Sequence, residues 1–411
     1  MEKENKRQQR LLLAIVALFW FAQYIYVPFQ TPYLGGIQVS AAMIGIIIGA
    51  YGVTQMTLRL PIGVLADYRG RHKGFILIGA LMAGGASALR FLFPSGMGFL
   101  VANLLSGCAS SMWISFMVLY TSFFEKEGQQ SATSRIILFN NVGVLLGFLS
   151  GTLLYGRFGM PVLVVLSAAA GFAGAGLALL LKENGGNGTA AAPIMQERPR
   201  VGGLLRICAN RRLILFALFA LIQQGIQMAT TMSFTTQVLK DLGASSSVIG
   251  FSSILYMLSS VFFAWLASTR VCERHGPKVW IPAVFAVVVA YCLLVGHVGS
   301  IPVIFLLQIL PGLSTGVLLS YIISEAMLEV PPQQKSTAMG FFQAVYAIGM
   351  TAFPMLTGSL AEHLSVSSAY DALGVIALLG SIGAAAFYLR QKRRAVPDLQ
   401  EERELVKSKT R

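Results

Sequence analysis

Four short sets of polar residues recur inside otherwise apolar stretches of this chain, and their spacing is helical. Gln23, Tyr26 and Gln30 fall at i, i+3 and i+7, and Asn103, Ser106, Ser110 and Trp113 follow the same kind of interval. Gln223, Gln227 and Thr230 form a third set. Gln308, Gly312 and Thr315 form a fourth around Pro311, where a kink is expected. Residues three or four apart share one face of a helix, so each set makes a polar stripe. Amides, hydroxyls and aromatic rings hydrogen-bond and stack small organic molecules. The bland alternative is that the same groups join neighbouring helices, at about 0.6 kcal/mol each.

Charge is placed differently. No Asp, Glu, His or Lys lies near the middle of any apolar stretch, and Arg59 is the deepest charge. Arg90 ends its stretch and is expected to snorkel to the interface. Glu325 lies one turn deeper than Glu329 and is the candidate proton carrier. Its alternative is a surface ion pair with Arg270 or Arg274. Such a lining suits a neutral, zwitterionic or amphipathic molecule and offers no strong counter-ion to a multiply charged one. Cys108, Cys208, Cys272 and Cys292 form no CxxC pair, and His72, His275, His297 and His363 are dispersed, so neither a metal site nor a cofactor is expected. The same dispersal argues against a polytopic membrane enzyme, which needs titratable groups that converge.

The stretches themselves imply a membrane. Of 411 residues, 55% are hydrophobic and only 12% charged, too little charge to cover a soluble surface. Apolar segments fall at about 11–33, 41–65, 74–93, 97–124, 134–156 and 160–181, then at 213–239, 245–268, 279–298, 301–325, 336–360 and 369–389. Each is long enough to cross a bilayer core of roughly 30 Å. The expected fold is an all-α polytopic membrane protein with 12 transmembrane helices in two pseudo-symmetric six-helix bundles, residues 1–181 and 213–390. Residues 182–212 are a linker, and residues 391–411 are a charged tail expected to be disordered. Within the linker, residues 201–212 are expected to form a short amphipathic surface helix. The first apolar run is too long for a signal peptide and is read as a retained span.

The net charge of +14 gathers in short segments between apolar runs, which favours the positive-inside rule over nucleic-acid binding. The basic N-terminus, Arg69, Arg71, Lys73, the linker, Arg270, Arg274, Lys278, Lys335 and the tail fall on one side; Arg90, Arg157 and Lys240 fall on the other. Both termini are therefore expected in the cytoplasm, with the protein in the cell membrane. The sequon at Asn187 is then chance.

The halves repeat. Ser40-x3-Ile44-Gly45 recurs as Ser245-x3-Ile249-Gly250, Glu125-x3-Gln129-Gln130 as Glu329-x3-Gln333-Gln334, and Asp67-x-x-Gly70 as Glu273-x-x-Gly276. The offsets of 205, 204 and 206 residues suggest a duplicated six-helix unit.

The loop after the second span reads GVLADYRGRHK, with Gly63, Asp67, Gly70, Arg71 and Lys73 in register. It resembles the signature loop of the major facilitator superfamily, roughly G-x-x-x-D-R-x-G-R-R/K, with Tyr68 where that family usually has Arg. The resemblance implies alternating access around spans 1, 4, 7 and 10. It makes Gln23, Tyr26, Gln30, Asn103, Ser110, Trp113, Gln223, Gln227, Gln308 and Thr315 the candidate substrate contacts. It implies a gate in which Asp67 faces the N-terminus of span 11 near Ser336 and Thr337. There the basic residues pair with Glu125, and Arg59, within RLPIGVLAD, plays a structural part. Two departures set the chain apart from drug–proton antiporters: the glycines at 143, 147 and 151 of span 5 have no accompanying Pro, and Asn103 stands where an Arg is usual in span 4. The expected activity is export of a small organic molecule by a monomer, with protons as a candidate coupling partner. Uptake of a neutral nutrient is the alternative direction.

Overall fold

The computed structural model describes residues 2–69, 71–124, 129–182, 206–267, 270–331 and 335–409. Among these residues there are helices and no strand. Spans 1 to 4 run Glu4–Gly36, Ala41–Ile62, Lys73–Leu92 and Gly96–Thr121. Spans 7 to 12 run Arg211–Asp241, Ser246–Ala267, Pro277–His297, Ile301–Met327, Thr337–His363 and Val366–Gln391. Between them lies one apolar stretch, Arg135–Leu179, of 45 residues, enough for two crossings.

That stretch folds back on itself at Gly159, whose φ of 67° and ψ of −166° interrupt the helix. A Cβ on Gly147 would lie 3.1 Å from the Ile25 nitrogen, while the Ser167 hydroxyl donates to the Ala22 carbonyl. Both residues thus meet the same part of span 1. A straight helix would hold them about 30 Å apart. Gly159 supplies the left-handed φ that other residues resist, and Pro161 suits the first turn of the second arm. Spans 5 and 6 are the two arms, which brings the crossings to twelve.

The internal repeat has a structural counterpart. Ser40 and Ser245 each accept the backbone N–H three residues on, Met43 and Val248, both at 3.3 Å, and so cap spans 2 and 8 identically. Gly107 and Gly312 occupy equivalent close approaches: a Cβ would lie 2.3 Å from the Tyr51 carbonyl oxygen in one half and 2.4 Å from the Ser259 Cβ in the other. Large apolar residues such as Leu153, Leu306 and Leu379 stand more than 60% exposed on the outer faces, as lipid contact requires and water does not favour.

Two expectations are corrected. The backbone of the charged tail continues span 12 as helix to Lys409; its Glu, Lys, Arg, Gln and Leu residues are good helix formers and propagate an existing helix. Within residues 201–212 only one 3₁₀ turn, Arg206–Ala209, precedes span 7 among the described residues. Asn210 then caps span 7 by accepting the Leu213 N–H at 2.8 Å, so the chain enters the membrane at once.

The halves meet tightly at the end away from the termini. Thr31 and Ser233 share a hydrogen bond of 3.2 Å between spans 1 and 7. Lys240 donates to the Pro32 carbonyl, and Glu362 accepts the Ala42 N–H at 2.8 Å between spans 11 and 2. Span 5 meets span 8 at Thr152 and Gly250, where an added Cβ would lie 2.1 Å from the Thr152 hydroxyl oxygen. Toward the termini no close packing joins Trp113–Thr121 of span 4 to Leu319–Met327 of span 10.

Candidate substrate cavity

Spans 1, 4, 7 and 10 are each interrupted near mid-length. Span 1 breaks between Glu2–Tyr24 and Val27–Gly36, where Pro28 lacks the N–H that would continue the ladder. Span 4 breaks at Met112. Span 7 carries a π-turn at Thr230–Phe234. Span 10 breaks at Gln308, three residues before Pro311, and has a second π-turn at Ser314–Leu318. Such interruptions free backbone groups and re-aim side chains where a helix lines a cavity.

The polar stripes meet at these breaks. The Gln23 side-chain amide donates to the Ser106 carbonyl at 3.0 Å and to the Ser110 hydroxyl at 3.1 Å. Ser110 is 2.8 Å from the Tyr51 hydroxyl. In the other half, Gln227 donates to the Tyr256 hydroxyl at 2.5 Å, and Tyr256 is 3.2 Å from the Thr315 hydroxyl. Gln223 bridges to Gln227 at 3.2 Å and to Ser314 at 3.4 Å. Tyr24 lies beside both Tyr51 and Tyr256, between the two sets. A cavity of about 40 Å³, lined by Gln23, Tyr26, Gln30, Tyr51, Asn103 and Met232 among others, lies against them. Its volume is room for a few waters.

Some expected contacts lie elsewhere. Gln308 is buried, donates to the Ile304 carbonyl at 3.5 Å and lies beside Tyr291, in a cluster where Thr235 links the hydroxyls of Tyr291 and Tyr370 at 2.9 and 2.7 Å. Trp113 is half-buried and packs edge-on against Trp20 at 5.3 Å. Tyr51 and Tyr256 lie outside the four stripes, because they stand on spans 2 and 8. Their signal is present in the internal repeat, since they lie 205 residues apart.

Arg90 departs most from expectation. It does not snorkel: it is 1% exposed and turned into the bundle. One terminal nitrogen donates to Asn103 Oδ1 at 2.6 Å and Ser106 Oγ at 2.9 Å, and the other to Ser87 Oγ at 3.3 Å. Its guanidinium carbon lies 4.1 Å from the Tyr26 ring centre. Span 3 thus delivers an arginine to the position on span 4 that Asn103 occupies.

Toward the termini, Arg59 crosses between the halves, donating to Gln343 Oε1 at 2.8 Å and the Tyr346 hydroxyl at 2.5 Å on span 11. Glu325 pairs with Arg212 at 2.5 Å and accepts the Tyr388 hydroxyl at 3.0 Å, so its partner is Arg212 rather than Arg274; the Arg270 side chain lies outside the described residues. Arg212 starts span 7 and reaches both Glu325 and, at 3.5 Å, Glu329. In the signature loop, Arg71 is exposed and Lys73 donates to the Leu179 carbonyl at 2.7 Å. Gly63 and Asp67 fall on the backbone of the helix Ala41–Arg69. The Asp67 side chain, Gly70 and Glu125 lie outside the described residues.

A bundle of twelve crossings with broken helices around a central polar cavity is the architecture of a carrier. The profile of the Major Facilitator Superfamily matches residues 12–238 and 224–411. The chain belongs to this superfamily. The inner membrane transport protein YajR of Escherichia coli (strain K12) is 25% identical over 171 residues, 41% of this chain and 37% of YajR. An uncharacterized transporter of Buchnera aphidicola subsp. Schizaphis graminum (strain Sg) is 27% identical over 126 residues, 31% of this chain and 32% of that protein. The matched segments therefore span about a third of these relatives. A mutant of the nucleoside transporter NupG superposes with a TM-score of 0.76 at 15% identity, covering 92% of this chain and 99% of NupG. A bacterial homolog to the human lysosomal transporter Spinster, in an inward-facing and unoccupied conformation, gives 0.76 at 16% identity, covering 96% and 98%. These likenesses establish the fold of a superfamily whose members here are membrane transporters.

Proposed function

We propose that this secondary transporter moves a small neutral, zwitterionic or amphipathic organic molecule across the cell membrane by alternating access, in the export direction. The observation that carries the substrate reading is the pair of matched sets, Gln23–Ser110–Tyr51 and Gln227–Tyr256–Thr315, at equivalent places in the two halves, beside a cavity that Gln23 and Tyr51 line from one half and Met228 and Met232 from the other. A ligand held between them belongs to both halves, and so is released to one side or the other as the halves rock. Basic residues cluster on the termini side, which supports cytoplasmic termini, with that side as the loading side. A cavity loaded from that side is consistent with export.

Arg59, bound to span 11, and the loop from Gly63 to Lys73, with Glu125 as its partner, form the proposed cytoplasmic gate. The Arg212 and Tyr388 contacts support Glu325 as a fixed ion-pair partner; coupling protons through it requires that pair to open. Purified protein in liposomes, offered a panel of radiolabelled neutral, zwitterionic and amphipathic compounds with and without an imposed proton gradient, tests the reading. Saturable counterflow of at least one class is expected. Permeability equal to that of empty liposomes across the panel refutes it. Accumulation against the direction of export, driven by the gradient, supports uptake instead.

A further inference from the structure

The buried cation at Arg90 has no carboxylate to neutralise it. No Asp or Glu occurs between Glu4 and Asp67, between Asp67 and Glu125, or between Glu127 and Glu183. Spans 1 to 6 therefore contain no acid beyond their termini-side ends, and Arg90 sits at the opposite end. The acids of the second half at that end are otherwise engaged: Asp241 with Gln237, Glu362 with the Ala42 N–H, and Asp371 with His297. The partners of Arg90 are neutral oxygens from Ser87, Asn103 and Ser106, and its Nε–H has no partner among the described residues. Arginine stays charged at any physiological pH. A charge so placed in a membrane bundle is costly and marks a functional site by default.

Its position relates it to the cavity. Tyr26, whose ring covers the guanidinium, and Asn103, which accepts from it, both line the cavity. The cation therefore stands one side-chain layer behind the wall, in surroundings that screen it poorly. The other half carries no equivalent among the described residues. Asn103 matches Gln308 at the repeat offset, and Gln308 faces the hydroxyl of Tyr291 where Asn103 faces Arg90. The cavity is thus polarised, positive at the wall formed by Tyr26 and Asn103, with Arg90 behind it, and neutral at the wall formed by Met228 and Met232 of span 7.

We propose that the Tyr26–Asn103 end of the cavity, held positive by Arg90, binds an anionic group of the transported molecule, of the carboxylate or sulfonate class. The substrate is then a zwitterion or an organic anion, with the rest of the molecule toward Met228 and Met232. That the bound molecule is carried across rests on the transport reading under Proposed function; the polarity of the cavity does not.

Charged thiol reagents of matched size read that polarity directly. Met232 lines the cavity, so Met232→Cys, in the full chain with the four native cysteines replaced by Ala, places a thiol there. Purified protein in nanodiscs is treated with 2-sulfonatoethyl methanethiosulfonate, itself a small organic anion, and with its 2-trimethylammonioethyl counterpart. The anion-to-cation rate ratio is expected to exceed the ratio for free cysteine in water by roughly tenfold or more. It should fall toward the aqueous value in Arg90→Gln and persist in Arg90→Lys, which keeps the charge while losing the forked geometry. A merely structural arginine would leave the ratio near its aqueous value whatever the effect on folding. That result overturns the proposal, as does an elevated ratio that survives Arg90→Gln, or the failure of the anionic reagent to react. If Arg90→Gln does not accumulate, the ratios of the parent and Arg90→Lys decide. Because the rates need no transport, a positive cavity in a protein that moves nothing would remove the carrier reading and leave this one standing.

Discussion

Tyr51 and Tyr256 hold the same post in the two halves of the molecule: each hydroxyl contacts a hydroxyl on the neighbouring cavity span, Ser110 at 2.8 Å and Thr315 at 3.2 Å. Each is also tied to a span 1 or span 7 glutamine, through Ser110 to Gln23 and directly to Gln227. Both hydroxyls join helices beside the cavity, which Tyr51 lines, so removing one affects substrate and scaffold together.

Tyr51→Phe and Tyr256→Phe each delete one hydroxyl and keep the ring. A lost hydrogen bond contributes about 0.5–1.5 kcal/mol, so apparent KM should rise roughly 2- to 12-fold. Initial-rate uptake into liposomes checks this. An unchanged KM in both variants at normal expression would return these tyrosines to a purely structural role.

Gly250 lets span 8 close on span 5. Gly250→Val places atoms where Thr152 now stands, and should favour the state open on the side away from the termini. Cysteines placed near Thr31 should then label faster from that side. Thr152→Gly in the same chain should restore the parental rate, because it removes the clashing Cβ. No difference in labelling would show that the 5–8 contact does not set the equilibrium.

Arg59 ties span 2 to span 11 through Gln343 and Tyr346. Arg59→Gln should change the ratio of the two access states by about tenfold, given about 1.5 kcal/mol for a hydrogen bond to a charged group. Distance distributions between spin labels on the termini-side ends of spans 4 and 10 measure the shift.

Glu325, side chain 12% exposed, neutralises an Arg212 that is 11% exposed. Glu325→Gln should lower the thermal unfolding midpoint, since it leaves a largely buried cation with only Glu329. Proton-driven accumulation should survive. Loss of accumulation with counterflow intact would instead make Glu325 the coupling group.

Hydropathy alone places the crossings within a few residues, because a bilayer demands about twenty apolar residues each time. The stripes on spans 1, 4 and 7 are legible for a similar reason: few polar groups are tolerated there, so each that occurs stands out. Arg90 is misread from sequence because position along a helix does not reveal the direction of a long side chain. At a helix end snorkelling and inward burial share one sequence signal, and only the packing of Tyr26 and Asn103 distinguishes them. Tyr51 and Tyr256 escape notice because tyrosine in a span reads as apolar filler until its hydroxyl has a neighbour. The helical tail is a matter of propensity, which net charge overshadows.

The reversal at Gly159 has a counterpart at every turn on that side. Residues 37–40, 93–95, 242–245, 298–300 and 364–365 make the other connections, so the turns there measure one to four residues each. With cytoplasmic termini, the cell's exterior meets a surface with almost no slack chain. A protease outside intact cells finds no strand to thread, and an antibody finds little but helix ends. Any handle for purification, tethering or imaging belongs on the other face, where the long segments lie.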